Sequence, residues 1–404
     1  MSGSFCRAFA LLGAVAGRLE AVSPTRRHLL LDTAIRCGCV VCAFFAVLLS
    51  TSAVSAQSFT LIGKAPNAAS SRGYAVSGDG STVVGTSYRD PSPAFSAGFR
   101  WTLSDGRVDE GLSPELTRFN TFNAVSSDGS VVAGYGASGT HSHAMRYAGP
   151  GTYRDLGVIT GHNNSEAFGL SADGSIVVGQ STFYDTRGNL LASSAFRWTE
   201  SGGMQSLTST YSAAYGVSAD GNTVVGEIRD LSGINAFRWT AGGGLQVLPA
   251  LTSPASSYAY AVSSDGSTTV GSSGNFGAIW RDGSSIAVSS PGIVGAISFH
   301  AVSGNGSVAA GYAFAGTTGF AATVWTPGTG AMYLSDYLAA NGVAIPAGVN
   351  LYECTGVSAD GRTFVGWTGS SSQGGAQAFV TTIPAPGALA LVAALTPYVI
   401  RRSR

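Results

Sequence analysis

Charge is scarce in this sequence: 11% of its 404 residues are charged, and Lys64 is the only lysine. Long surface helices carried by Glu/Lys pairs are therefore excluded. Histidine and cysteine are nearly absent from residues 57–383, which hold His141, His143, His162, His300 and Cys354. A single cysteine permits no internal disulfide and no Cys-based zinc site, so Cys354 is expected to be a buried small hydrophobe. There is no His-x-x-x-His, no His-Glu-x-x-His and no Gly-x-Ser-x-Gly elbow before a helix. Metal catalysis and serine hydrolysis thus lack a sequence signal.

What is abundant is glycine, 56 residues, alongside 45% hydrophobic residues. That composition favours strands and turns in one large folded body. The net charge of zero conceals a segregation, because basic residues cluster at both ends. Between them the body is acidic by about six charges by formal count, which excludes nucleic acid as a natural partner.

The ends look like addresses. Residues 39–49 form an apolar run preceded by Arg26, Arg27 and Arg36 and followed by Val54-Ser55-Ala56, the pattern of a signal peptide. Cleavage is expected between Ala56 and Gln57, by a signal peptidase. Residues 1–56 are accordingly set apart, with a start upstream of Arg26 longer than a leader needs. At the other end Pro384-Ala385-Pro386 leads into an apolar stretch and then Arg401-Arg402-Ser403-Arg404. A turn, a greasy segment and a basic stop suit a tail that enters a bilayer and halts there.

This tail, residues 384–404, resembles the PEP-CTERM sorting signal, with Pro384, Pro386, Arg401, Arg402 and Arg404 at the matching positions and Ala385 where that pattern has glutamate. The resemblance implies membrane contact through the tail before processing and an exosortase-like enzyme as a partner. Location at the cell surface, outer envelope or outside the cell follows from the two ends together.

Between the ends the chain repeats. Ala75-Val-Ser-Gly-Asp-Gly80 returns six times, with Asp79, Asp128, Asp173, Asp220, Asp265, Asn305 and Asp360 spaced by 49, 45, 47, 45, 40 and 55 residues. Units of about 47 residues suit the blades of a β-propeller. Each Asp-Gly or Asn-Gly joins two short apolar runs, a hairpin signal in which glycine takes the positive φ. One acidic residue per turn lacks the spaced oxygens that calcium needs, so these side chains are expected to be structural. A third strand follows, as in Ala195-Phe-Arg-Trp-Thr199, whose Phe196 and Trp198 share a face that fills the gap between units. A fourth appears as Thr152–Leu156, Gly203–Leu207 and Gly244–Leu248, but the last unit lacks one.

The spare strand Phe59–Ile62 at the start of the body supplies it. The expected fold is therefore an all-β, seven-bladed propeller over residues 57–383, its ring closed by the N-terminal strand, which removes exposed edges. The segments His143-Ala-Met-Arg-Tyr147 and Ala-Phe-Arg-Trp resemble the HAF-type extracellular repeat family, and the hairpin is similar to TolB-type propeller repeats. These resemblances imply an extracellular place rather than a chemistry.

Candidate functional residues are few. Arg100, Arg146, Arg197 and Arg238 hold one third-strand position in the first four units, and Ile279, Val324 and Val380 replace them afterwards. They either pair with a neighbouring Asp or line the ring to meet acidic sugars. His141 and His143 on one strand face are two imidazoles, which alone do not make a metal site. The reading with most support is a non-enzymatic exported surface or matrix protein that contacts polysaccharide, with no cofactor. A carbohydrate-binding lectin remains the alternative, as does a polysaccharide lyase or glycosidase with loop-borne acids among Asp185, Glu227, Asp230 and Glu353.

Overall fold

In the computed structural model of the chain, residues 58–384 are described apart from short loop segments (90–95, 111–119, 139, 150–151, 253–255, 282, 291, 294, 317–318 and 370–374). The apolar run 39–49, Ala56, Gln57, Pro386, Arg401, Arg402 and Arg404 lie outside the described residues, whereas Pro384 follows the last strand. No described helix is long and apolar enough to cross a membrane.

The chain folds as a seven-bladed β-propeller of four-stranded antiparallel sheets. Blade 1 comprises β2 (Ser70–Val76), β3 (Thr82–Tyr88), β4 (Ser96–Thr102) and β5 (Gly106–Asp109). Blade 2 has β6 (Asn120–Val125), β7 (Val132–Ser138), β8 (His141–Tyr147) and β9 (Tyr153–Asp155); blade 3 has β10 (Asn164–Leu170), β11 (Ile176–Tyr184), β12 (Leu190–Thr199) and β13 (Gly203–Ser206). Blade 4 is β14 (Ser212–Val217), β15 (Thr223–Asp230), β16 (Gly233–Thr240) and β17 (Gly244–Val247), and blade 5 is β18 (Ser257–Val262), β19 (Thr268–Ser273), β20 (Phe276–Arg281) and β21 (Ser284–Val288). Blade 6 holds β22 (Ile297–Val302), β23 (Ala309–Phe314), β24 (Phe320–Thr326) and β25 (Gly330–Tyr333). In blade 7, β26 (Leu351–Val357), β27 (Thr363–Thr368) and β28 (Ala378–Thr382) are completed by β1 (Ser58–Gly63).

The circular closure expected from the spare strand is present. Leu61 pairs with Phe379 and Phe59 with Thr381, and the Phe59 and Phe379 rings stack 5.7 Å apart. The long 55-residue spacing before Asp360 accommodates one helix, α1 (Leu334–Ala340), whose buried Leu334 and Leu338 pack between blades 6 and 7. Phe196 and Trp198 are buried against Ala124, Ala144 and Leu156 of blade 2, as their period-2 spacing implied. Cys354 is fully buried, which pushes its thiol up to about 12.

Every blade's first hairpin uses the same side-chain device. In blade 2, Ser126 Oγ donates to Asp128 Oδ1 at 2.7 Å, the Ser130 N–H donates to the same oxygen at 3.0 Å, and the Val131 N–H donates to Ser126 Oγ at 2.9 Å. The turn glycines take φ near +70°, as Gly129 does at 76°. They also approach the preceding blade closely: a Cβ on Gly221 would meet Ile176 at 2.0 Å. Glycine is required there for space as well as for conformation.

The hairpin tips join one another around the axis. Backbone N–H groups of Ser127, Ala172, Ala219, Ser264, Gly304 and Ala359 each donate to the carbonyl of the next tip, at 2.9–3.1 Å, and Asp79 N–H to Ser127 O completes the circle at 3.1 Å. Backbone groups that a lone hairpin would leave to water are thus satisfied between blades.

The third-strand arginines clasp this same structure. Arg146 Nε reaches the Gly174 carbonyl at 2.7 Å, Arg197 Nε the Gly221 carbonyl at 3.2 Å, and Arg238 the Gly266 carbonyl at 3.3 Å. Arg100 binds the Gly129 carbonyl and pairs with Glu110 at 3.1 Å, a glutamate rather than an aspartate. Each guanidinium crosses from one blade to the next blade's Asp-Gly turn, because the strand face opposite Phe and Trp points there. Blade 5 keeps the clasp although Ile279 fills the aligned position, since Arg281, two residues on, binds the Gly306 carbonyl.

Three outcomes follow from these contacts. Arg197→Ala is expected to cost about 1–2 kcal/mol in denaturant unfolding through loss of a charged hydrogen bond to a carbonyl. Gly226→Ala, whose Cβ would lie 1.9 Å from the Ala213 carbonyl, is expected to cost more than about 3 kcal/mol, whereas Gly242→Ala, with open space around it, leaves the thermal midpoint unchanged. The turn carboxyls titrate low: Asp128 is held at about 2 by the Ser126 hydroxyl and then by the N–H and hydroxyl of Ser130. Asp173, Asp220 and Asp265 are lowered in the same way, first by Ser171, Ser218 and Ser263. A carboxyl with a depressed folded pKa stabilises above its unfolded value and loses that contribution as pH falls through the folded one. Thermal midpoints should therefore hold above pH ~4 and fall towards pH 2, and Asp128→Asn should flatten that fall.

Candidate functional site

The seven innermost strands carry a β-bulge at one repeated position. Register slips between Gly73 and Ala75, Phe122 and Ala124, Ala167 and Gly169, Ala214 and Gly216, Ala259 and Ala261, Phe299 and Ala301, and Cys354 and Gly356. The residues left without a partner are Tyr74, Asn123, Phe168, Tyr215, Tyr260, His300 and Thr355. Such a bulge re-aims one side chain without ending the strand. Here it turns one half-buried side chain per blade towards its counterparts around the axis.

These residues meet in sequence. Phe168 and Tyr215 have ring centroids 5.6 Å apart, Tyr215 and Tyr260 5.3 Å, and Tyr260 and His300 4.4 Å. At the two polar positions the side chain bonds the next blade's backbone instead: Asn123 Nδ2 to the Ala167 carbonyl at 2.8 Å and Thr355 Oγ1 to the Gly73 carbonyl at 2.7 Å. The belt continues through Tyr312, Phe320 and Tyr352. In blades 1 and 7, Tyr74 packs edge-on against Trp367 at 5.9 Å, and Arg72 lies over the same ring at 5.1 Å. The Tyr74 and Tyr88 hydroxyls share a hydrogen bond of 2.5 Å.

Polar groups are set into this belt at the end of the channel opposite the Asp-Gly tips. Glu227 hydrogen-bonds the Tyr215 hydroxyl and has Arg229 nearby; burial raises its carboxyl above the ordinary range. Burial likewise raises Glu166, which lines a pocket with Ser142, Asn164, Gln180, Thr182 and Tyr184 between blades 2 and 3. Glu353 Oε1 lies 2.8 Å from His300 Nδ1, and His300 Nε2 lies 3.0 Å from Ser298 Oγ. Desolvation pushes the Tyr215 and Tyr260 phenols up, with Glu227 adding to both, so both rings are neutral, stacking surfaces at physiological pH.

Sequence reasoning placed four acids on loops, and three of them lie in strands. Glu227 lies in β15 and Glu353 in β26, both at the channel mouth. The loop reading failed because no spacing along the chain reveals a partner supplied by another strand or another blade. Asp185 sits in an exposed turn and accepts the Arg187 N–H at 2.8 Å, while Asp230 closes β15 and accepts the Ser232 N–H at 2.7 Å. Arg100, Arg146, Arg197 and Arg238 belong to the opposite end, with the Asp-Gly turns. His143 pairs with Asp155 at 2.8 Å; among the described residues no three His, Cys, Asp or Glu side chains converge as metal ligands. The bulge ring went unread, although the glycine ending each second-strand run (Gly85, Gly134, Gly179, Gly226, Gly271, Gly311, Gly366) marks it.

No protein-family model and no curated protein matches this chain. Solved structures do. An oligogalacturonate lyase in complex with manganese superposes with a TM-score of 0.50 at 11% identity, over 82% of this chain and 95% of that one. The oligogalacturonate lyase of Vibrio parahaemolyticus gives 0.51 at 10% identity, over 82% and 94%. TolB from Acinetobacter baumannii gives 0.42 at 15% identity, and the match spans 62% of each chain. At these identities the likeness to the two lyases is one of fold, and the fold is the seven-bladed β-propeller.

Proposed function

We propose that this chain is an exported propeller of the cell surface or extracellular matrix that binds a polysaccharide at the mouth of its central channel. The observation that carries the reading is the run of half-buried rings, Phe168, Tyr215, Tyr260 and His300, contributed by four successive blades. Flat apolar faces edged by carboxylates suit a sugar, whose C–H face stacks and whose hydroxyls donate to oxygen acceptors. Export rests on the leader-like residues 39–56 and on the tail ending in Arg401-Arg402-Ser403-Arg404, with a signal peptidase and an exosortase-like enzyme as processing partners.

Acidic polysaccharide is disfavoured at this mouth. The four third-strand arginines that prompted it are engaged at the other end, and Glu166, Glu227 and Glu353 border the belt. A neutral glycan is the better fit.

The experiment is titration calorimetry of the protein against neutral and acidic oligosaccharides. Saturable binding of a neutral glycan is expected, and Tyr260→Ala should weaken it about tenfold, roughly 1.4 kcal/mol. The combined alanine variant of Arg100, Arg146, Arg197 and Arg238 should lose stability while its folded fraction binds normally. Binding that survives Tyr260→Ala and Tyr215→Ala together would place the site elsewhere.

A further inference from the structure

One group at the channel mouth exceeds what sugar binding calls for. Ser298 and His300 stand two residues apart on β22, where the bulge at His300 leaves its imidazole against the Ser298 hydroxyl, and Glu353 arrives from β26 of the neighbouring blade. The imidazole is bonded at both nitrogens: Nε2 to Ser298 Oγ at 3.0 Å and Nδ1 to Glu353 Oε1 at 2.8 Å. Tyr260 and Tyr312 flank the ring with centroids at 4.4 and 5.2 Å. A carboxylate on Nδ1 places the proton there, which leaves the Nε2 lone pair facing the serine hydroxyl. Hydroxyl, base and orienting carboxylate are therefore in the order that activates a nucleophile.

Two further features make this more than a chain of hydrogen bonds. Tyr312 packs edge-on against the imidazole with ring centroids 5.2 Å apart, so an aromatic wall stands beside the serine–histidine pair. His300 remains 25% exposed, which leaves an edge of the imidazole open to a ligand in the channel.

We infer that Ser298, His300 and Glu353 form an acyl-transfer triad that hydrolyses esters, and that the natural substrate is an O-acylated sugar. The choice of sugar rests on the binding function proposed above; the triad itself does not. Ser298 Oγ attacks the ester carbonyl while its proton passes to His300 Nε2, giving a tetrahedral oxyanion. Collapse breaks the acyl C–O bond, and the leaving sugar alkoxide takes the proton from Nε2. Water then attacks the acyl-serine and gives its proton to His300, and the second collapse frees the carboxylic acid and returns the proton to Oγ. Glu353 stays ionised and holds the imidazole in place.

The Gly-x-Ser-x-Gly search fails here because Ser298 lies in a strand, in Ile297-Ser-Phe-His300, and not at a strand-to-helix elbow. Its carboxylate lies 55 residues further along the sequence, in another blade.

A fluorophosphonate probe, which needs an activated hydroxyl and no sugar site, tests the inference directly. Intact-mass analysis of the purified protein should show one adduct, mapped to Ser298 by peptide fragmentation. Ser298→Ala should give none, and His300→Ala and Glu353→Gln should label at least about a hundredfold more slowly. 4-Nitrophenyl acetate should be hydrolysed with the same ranking of variants. Ser298→Ala should retain the wild-type thermal midpoint, which excludes misfolding. No adduct on a folded wild-type protein, or an adduct on another residue, overturns the triad and leaves glycan binding intact as a reading. Labelling of Ser298 in a protein that binds no glycan upholds the triad and overturns the proposed function instead.

Discussion

The close contact between a glycine of each blade's second strand and a carbonyl of its first is the constraint on which the rest depends. A Cβ on Gly134 would stand 1.8 Å from the Thr121 carbonyl, and one on Gly179, Gly226, Gly271, Gly311 or Gly366 1.9 Å from the equivalent oxygen. No side chain fits, so the inner strand can bulge only where the second strand has glycine. The bulge is what turns Tyr74, Phe168, Tyr215, Tyr260 and His300 to the axis. The aromatic belt at the channel mouth is therefore built on residues that have no side chain.

The two ends of the propeller divide the work. At the Asp-Gly end, backbone bonds between neighbouring tips, arginine clasps and serine–aspartate turns connect the blades. Most charged groups there are consumed in structure. At the other end the side chains vary from blade to blade: Arg72 in blade 1, Glu166 in blade 3, Glu227 in blade 4, His300 in blade 6 and Glu353 in blade 7. Repetition holds the ring together, and departure from repetition gives the mouth its own set of polar groups.

Much of the fold is legible in the sequence because its signals are local. Asp-Gly turns, β-branched runs and the Ala-Phe-Arg-Trp strand each declare themselves within a few residues, and Phe59–Ile62 declares the closure by being left over. Helix α1 was not read, since Leu334 and Leu338 are only one i, i+4 pair in a single short turn region. The site was legible only in part. Glu227 and Glu353 could be named as acids, but their partners Tyr215 and His300 come from another strand or another blade, and single-sequence spacing carries no such proximity. The partners of the arginines could not be read for the same reason: their acceptors are backbone carbonyls of turn glycines, which have no side-chain signal at all.

The most direct test of the central claim, that the bulged residues form the binding surface, is a crystal structure of the protein grown with a neutral oligosaccharide that it binds in solution. The account predicts sugar density at the channel mouth, a ring stacked on Tyr215 or Tyr260 and hydroxyls within hydrogen-bond reach of Glu227 or Glu353. Density on the outer blade edges, or at the Asp-Gly end beside Arg146 and Arg197, would contradict it.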